Sequence, residues 1–529
     1  MQELLCHNLA PSFPSQPNAA NLSAWRADPT KLLPGVLLAC FAFLYLQVFI
    51  LPDTPRAASG DQSIYLHHGT RMFEGQLIYR DYDHFTTPGT DVFYAALFKL
   101  FGVRVWIPQA MLVLLGTTLA WLSIVIARRI IAGPAVFLPA FMFLSLAYSG
   151  YLDATHHWYS TLAATAALAV VIDERSEYRL LWAGFFLGLG VFFTQSLAIG
   201  VLGFALFLLW EKYHRDEKWR VLLKKESALW VSFLGTVVAT DGYFIWRVGI
   251  RRFFYFTVTF PFKYYPADYF NNWRVYMRGW PSIHSPANWP DVLAFAFIHL
   301  LVPLIYALFL ARWWRERQQR EEPWDKLMLV TLTGFSLLVS VAPAPAYTRL
   351  YAVSIPALVL LVWFLNPKYR AEKILLWVAW ATVVVLAIAR PLIAQTRWKA
   401  FLDLPTGRTA FIEPVSYEKC KWLSLRTHPS DYFFGDHFSA FALRLHNVGR
   451  VPFLRPTDYT RPEEVQDAMQ ALERHQVRFV SWYSGLDHET EAVLHPESDH
   501  LGPMRTYLGE HYHVVKVFSN GDLIWERNQ

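Results

Sequence analysis

Eleven apolar stretches recur along 529 residues, and most are long enough to fill the thickness of a lipid bilayer. A helix needs about 20 apolar residues to cross a hydrocarbon core about 30 Å thick. Residues 33–51 (LPGVLLACFAFLYLQVFIL) meet that length, and further spans are predicted at 106–127, 133–150, 158–172, 180–194, 196–211, 228–249, 291–311, 327–342, 348–365 and 373–394. Residues 180–211 read either as a tight pair or as one long helix; with the pair the count is eleven. The 32 residues before the first span are polar, and no small-residue cleavage pattern follows it, so the span reads as a retained signal anchor. Lipid offers no partner for backbone N–H and C=O groups, so such a chain folds as a helical bundle.

Charge sets the orientation. With the N-terminus cytoplasmic, the inside loops hold Arg128-Arg129, the run around 212–226, RWWRERQQREEPWDK (312–326) and NPKYRAEK (366–373). The opposite short loops at 151–157, 195 and 343–347 have no Lys or Arg. This is the positive-inside pattern, and it puts 52–105, 250–290 and everything after about 395 outside the cytoplasm. The net charge of +6 therefore reflects loops held on one face and not a nucleic-acid surface. Cys6, Cys40 and Cys420 are scattered and suggest neither disulfide nor zinc site.

After residue 395 the pattern changes. DYFFGD (431–436), VRFVSWY (477–483), HVVKVFS (513–519) and DLIWE (522–526) read as short strands, with Asn520-Gly521 as a hairpin turn. Thr460-Arg-Pro-Glu463 reads as a capping box opening a helix through about His475. The expected organisation is a cytoplasmic segment 1–32, an all-α polytopic bundle 33–395, and an extracytoplasmic α/β domain 396–529.

The first outside loop, 52–105, is too long for a simple connector. It opens with Asp61 and adds Glu74, Asp81, Asp83, Asp91, Arg71, Arg80, His67-His68 and His84. Its end, DVFYAALFKLFG, is amphipathic and suits the membrane surface. Such a loop fits a substrate with a lipid part and a charged head.

Asp61 and Tyr65 in D-x-x-x-Y, Gly75, Ile78-Tyr79, Asp81-Tyr82, Pro88-Gly89 and Phe101-Gly102 form a series that resembles the GT-C superfamily of polyprenyl-phosphate-sugar glycosyltransferases. More narrowly it is similar to the bacterial family 39 relatives of protein O-mannosyltransferases and to the lipid A aminoarabinose transferases. YTRLYAVSIPALVLL (347–361) and GFFLGLGVFFTQSLAIG (184–200) resemble two further parts of that family. Phe85-Thr86-Thr87-Pro88-Gly89 departs from it, since some relatives place Lys before a Pro-Pro pair there.

The resemblance implies a bacterial inner-membrane enzyme that moves a sugar, with inversion, from a polyprenyl-phosphate donor to a protein, lipid or glycan acceptor outside the cytoplasm. It assigns Asp61 the place of the catalytic base and Asp153 that of the second acid. The plain alternatives are a structural loop Asp and an N-cap for helix 158–172. For donor phosphate the expected cations are Arg349, Arg251 and Arg252, with Arg71, Arg80 and Lys263 behind them, because guanidinium forks match phosphate oxygens. Arg251-Arg252 read equally well as a snorkelling pair at a helix end. Tyr65 joins the donor site by its motif position. Asp241, inside an apolar span, is a functional candidate by default, or pairs with a group such as His299. The residues specify no cofactor; a divalent ion held by Asp61, Asp153 and His156-His157 is the alternative. The aromatic loop 250–290 either shields the site or forms an interfacial belt.

A transporter or flippase of a lipid-linked precursor is the competing class, but repeats and matched broken helices are not found. A scaffold with an exported tail leaves the acids without use. Ser481-Trp482-Tyr483-Ser484-Gly485 lacks the acid of the oligosaccharyltransferase Trp-Trp-Asp signature.

Overall fold

The computed structural model describes residues 29–268, 271–278, 288–318, 322–365, 370–488 and 496–529. Most of the expected cytoplasmic segment 1–32, parts of the loop 250–290, and parts of the basic runs 312–326 and 366–373 lie outside the described residues.

The bundle is built from α1 (Leu33–Val48), α4 (Trp106–Ala127), a helical stretch α5 (Gly133–Gly150), α6 (His156–Val171), α7 (Glu177–Phe193), α8 (Gly200–Arg215), α9 (Trp219–Val248), α10 (Trp289–Glu316), α11 (Trp324–Val341), α12 (Tyr347–Ala352), α13 (Ser354–Phe364) and α14 (Arg370–Thr396). Seven described helices are long and apolar enough to cross a membrane: α4, α5, α8 with the turn before it, α9, α10, α11 and α14. The spans expected at α1, α6, α7 and α13 are shorter, so the count of eleven is not reached by that measure. Residues 180–211 are a pair of helices, because the chain is extended at Thr194. α4, α9, α10 and α11 each begin with a Trp, the residue that settles where hydrocarbon meets water. Gly184 and Gly188 let α7 close on α9, since a Cβ at Gly184 would stand 2.3 Å from the Leu229 carbonyl oxygen.

Outside the bundle, the stretch read as a loop contains two helices, α2 (Asp61–Phe73) and α3 (Gly89–Phe101). Residues from 400 onward carry a hairpin, β1 (Ala400–Leu404) with β2 (Gly407–Phe411), which had no expectation, and a five-stranded sheet. In the sheet β3 (Tyr432–Phe434), β4 (His446–Asn447), β5 (Phe479–Trp482), β6 (Tyr512–Val517) and β7 (Leu523–Arg527) run in the order β4-β3-β5-β7-β6. β6 and β7 pair antiparallel across a turn where Gly521 takes φ 87°. The helices here are α15 (Pro414–Ser424), α16 (His437–Leu443), α17 (Pro462–Arg474) and α18 (Gly502–His511). α17 is capped one residue later than expected, because Pro462 fixes the first turn and Glu464 reaches back to the Arg461 N–H at 3.0 Å.

One face of this sheet closes a core of its own, with Phe434, Val480 and Trp482 packed among Val465 and Leu472 of α17 and Met504 and Leu508 of α18; the other face does not. Tyr65, Leu66, Tyr94 and Phe98 from α2 and α3 share one apolar cluster with Phe438, Phe441 and Phe479. Arg71 donates to the Gly449 carbonyl at 2.6 Å, Arg450 pairs with Asp83 at 3.2 Å, and Ala57 N–H donates to the Ala410 carbonyl at 2.8 Å. The first outside segment is therefore clamped under the carboxyl-terminal strands, with a cavity beneath the clamp.

Candidate active site

The cavity has a volume of about 1070 Å³ and is walled by the start of α2, the start of α6, α12, the residues Tyr265, Asp268, Asn271 and Val275, and the carboxyl-terminal strands. Asp61 is the first residue of α2, and its side chain is open to this space. The preceding Gly60 has φ 61°, a conformation that suits glycine, and a Cβ there would lie 3.2 Å from Asp153 Oδ2. Gly60 thus lets two carboxyl groups meet at the amino end of one helix, where the macrodipole favours negative charge.

The two acids differ. Asp61 is pushed above the usual carboxylate range by burial among the surrounding segments, while Arg349 and Arg455 pull it back. Asp153 is pushed well above, first by burial and then by the charge on Asp61, against weaker pulls from the Tyr151 hydroxyl and the N–H groups of Gln62 and Asp61. Burial thus raises both carboxyls, and Asp153 the more, because the charge on Asp61 adds to its burial. Asp153 sits behind Gly60, off the cavity surface. It does not cap the next helix either: α6 starts after Thr155 without a side-chain cap.

Arg349, in α12, donates to the Ala344 carbonyl at 2.7 Å, to the Tyr265 hydroxyl at 2.6 Å and to Asn271 Oδ1 at 3.4 Å. Arg455 comes from the carboxyl-terminal part and pairs with buried Asp268 at 3.2 Å. Both line the cavity with Asp61. Tyr65, one turn along α2, stands 2.7 Å from His156 Nδ1 and 3.1 Å from Thr86 Oγ1, which in turn is 2.6 Å from His84 Nδ1.

The other expected residues lie elsewhere. Arg71 is buried and spent on the Gly449 and Asp81 carbonyls and on Gln76. Arg80 is exposed against Asp81. Arg251 and Arg252 are exposed off the cavity, Arg252 lying 3.5 Å from Asp83. Asp241 is buried in α9 away from the cavity, and its Oδ1 has no hydrogen-bond partner among the described residues. His299 stacks on Tyr276 at 3.6 Å and on Phe295 at 4.7 Å, not on Asp241. Among the described residues no three His, Cys, Asp or Glu side chains converge as metal ligands. His156 is turned to Tyr65 and lies against His157, their ring centres 3.9 Å apart, so the divalent-ion alternative has no ligand set here.

No protein-family model matches the chain, and no curated protein does. Solved structures do. ArnT from Cupriavidus metallidurans bound to undecaprenyl phosphate aligns with TM-score 0.56 and 14% identity over 94% of this chain and 98% of that one. Its apo state gives 0.57, 14%, 96% and 98%. The oligosaccharyltransferase AglB from Archaeoglobus fulgidus, in complex with an inhibitory peptide and a dolichol-phosphate, gives 0.53 and 11% over 95% of this chain and 75% of that one. The chain shares the fold of ArnT and AglB.

Within this fold the expected residues Asp61, Tyr65 and Arg349 line the cavity, while Arg455, Tyr265, Asp268 and Asn271, which also line it, had no expectation. The aromatic run 250–290 did signal that its segment mattered, and its described part supplies Tyr265 and Asn271. Arg455, in VPFLRPTDY, sits in no motif.

Proposed function

We propose that the chain is a membrane glycosyltransferase that moves a sugar, with inversion, from a polyprenyl-phosphate-linked donor to an acceptor outside the cytoplasm. The observation that carries this reading is the Asp61 carboxylate, open to a large cavity and facing two arginines. Sugar transfer from a lipid phosphate requires a base for the acceptor hydroxyl and positive charge where the phosphate departs. The polyprenyl and dolichol phosphates held by ArnT and AglB support the donor class.

In this reading the acceptor oxygen attacks the anomeric carbon and passes its proton to Asp61. The bond from that carbon to the phosphate oxygen breaks, and the lipid phosphate leaves with its charge against Arg349 and Arg455. Asp153, behind Gly60, accepts from the N–H groups of Asp61 and Gln62 and so positions the first turn of α2. The setting is the bacterial inner membrane, with the N-terminus cytoplasmic and the cavity at the outer face. Residues 33–395 hold the donor lipid, and 396–529 roof the site from outside.

The test is turnover of polyprenyl-phosphate sugars by the purified full chain and by Asp61→Asn. Loss of a general base costs about 10²–10⁴-fold. A folded Asp61→Asn protein that turns donor over at the wild-type rate would remove Asp61 as the base.

A further inference from the structure

We infer that the acceptor is a neutral, hydroxyl-rich molecule of the saccharide class, seated on the carboxyl-terminal wall of the cavity against the ring of Tyr483 and the carboxylate of Asp436. This rests on the transferase reading above. The first ground is room. A cavity of about 1070 Å³ stands at the top of the roughly 300–1,000 Å³ that one drug-sized ligand occupies. The donor's sugar and phosphate beside Asp61 leave space for a second molecule.

The second ground is charge. The cations near Asp61 are Arg349 and Arg455. Arg455, which also acts on Tyr483, is already paired with Asp268, and the same wall carries Asp291, Glu413 and Asp436. Its lysine, Lys419, is buried and already bound to Asp522 at 3.0 Å. Asp291 is matched by Arg390 at 2.8 Å. A phosphorylated or carboxylated acceptor would meet repulsion at this end with no lining cation uncommitted among the described residues.

The third ground is hydrogen-bonding capacity. Burial pushes the Asp436 carboxyl up, but Lys419 and hydrogen bonds from Ser439 and Tyr483 outweigh it and keep it below the usual range, so it is ionised. Asp436 Oδ1 accepts from the Tyr483 hydroxyl at 2.9 Å, and Oδ2 accepts from both the N–H and the hydroxyl of Ser439. A carboxylate has about four lone-pair sites, so acceptor capacity remains. Glu413 is exposed to the cavity and accepts only a 3.2 Å bond from Ser416. Free acceptors call for a ligand rich in O–H donors. A peptide brings as many carbonyl acceptors as N–H donors and fits less well.

The fourth ground is the ring itself. Tyr483 is 40% exposed although it lines a cavity. The Lys419 ammonium covers it on one side, 4.7 Å from the ring centre. The uncovered ring is an apolar, weakly negative surface suited to the C–H face of a sugar.

The test is direct binding to the full chain in nanodiscs, read by saturation-transfer NMR without donor. The probes are cellotetraose, maltotetraose and chitotetraose, set against a phosphorylated glucosamine disaccharide and a Ser/Thr hexapeptide. A neutral tetrasaccharide is expected to bind, Tyr483→Phe to keep it, and Tyr483→Ala to weaken it at least about 10-fold, the scale of one lost contact of 1.4 kcal/mol. Asp436→Asn, which keeps the side-chain shape, is expected to weaken it as well, should the Ala protein fail to fold. Binding of none of the three tetrasaccharides, binding unchanged in Tyr483→Ala, or binding of the charged disaccharide or peptide in their place overturns the inference. Saccharide binding with no donor turnover would instead sink the transferase reading alone.

Discussion

Arg349→Gln separates a phosphate-binding arginine from a structural one. The wild-type guanidinium is held in place by the Ala344 carbonyl, the Tyr265 hydroxyl and Asn271, above the Tyr265 ring. Being preorganised, it pays little to meet a departing phosphate. A charge-assisted hydrogen bond is worth about 1.5–3 kcal/mol, so its loss should lower kcat/KM by about 10- to 100-fold. A second effect follows from Asp61. Arg349 is the larger of the two charges that lower this carboxyl. The base must be ionised to act, so activity is lost as pH falls through its pKa. Removing the cation raises that pKa, and the acid limb of kcat/KM must move to higher pH. Arg349→Lys should bring the limb back while restoring the rate only in part, because the point charge returns without the fork. The assay is initial release of polyprenyl phosphate across the acid-to-neutral range. If Arg349→Gln lowers the rate equally at every pH, leaving the limb unmoved, the arginine is only a brace between Ala344 and Tyr265. A wild-type kcat/KM would refute the phosphate role outright.

Two further outcomes concern stability. Glu211 is buried at the far end of the bundle, bonded to Arg175 at 2.8 Å and Lys225 at 3.3 Å, with Asp325 also on Arg175 at 2.7 Å. Glu211→Gln leaves a buried guanidinium short of charge, an effect of about 3–5 kcal/mol, so thermal melts in detergent should show a clear fall in Tm with turnover per folded molecule retained. Asp91 is buried in α3, accepts from the Tyr82 hydroxyl at 2.9 Å and is pushed up to about 8 by burial. Its raised pKa means that the folded state keeps a proton the unfolded chain has lost, so its contribution to stability falls as pH rises from the ordinary carboxylate range towards that value, by about 1.4 kcal/mol per unit. Asp91→Asn should flatten this component in melts compared at mildly acidic and neutral pH, and an unchanged slope would show that Asp91 titrates normally.

What the sequence determined by itself was the frame. Hydrocarbon forces each crossing segment to be apolar and helical, so α4 could be read from local composition to the residue, and α10 and α11 with ends that differ by a turn or so. Asp61 and Tyr65 were legible because they share one helix turn and one motif, although the helix itself was taken for loop. In the carboxyl-terminal part the strand positions were visible, but not that one face of the sheet packs on α2 and α3, 300 and more residues away along the chain. Only the tertiary structure decided which charges meet. Arg349 finds Tyr265 across 84 positions, Arg455 finds Asp268, and Arg71 is diverted to Gly449 as a clamp. Local pattern records how a residue sits on its own helix or strand. It carries no record of which distant segment will be folded against it, and the cavity is made of such meetings.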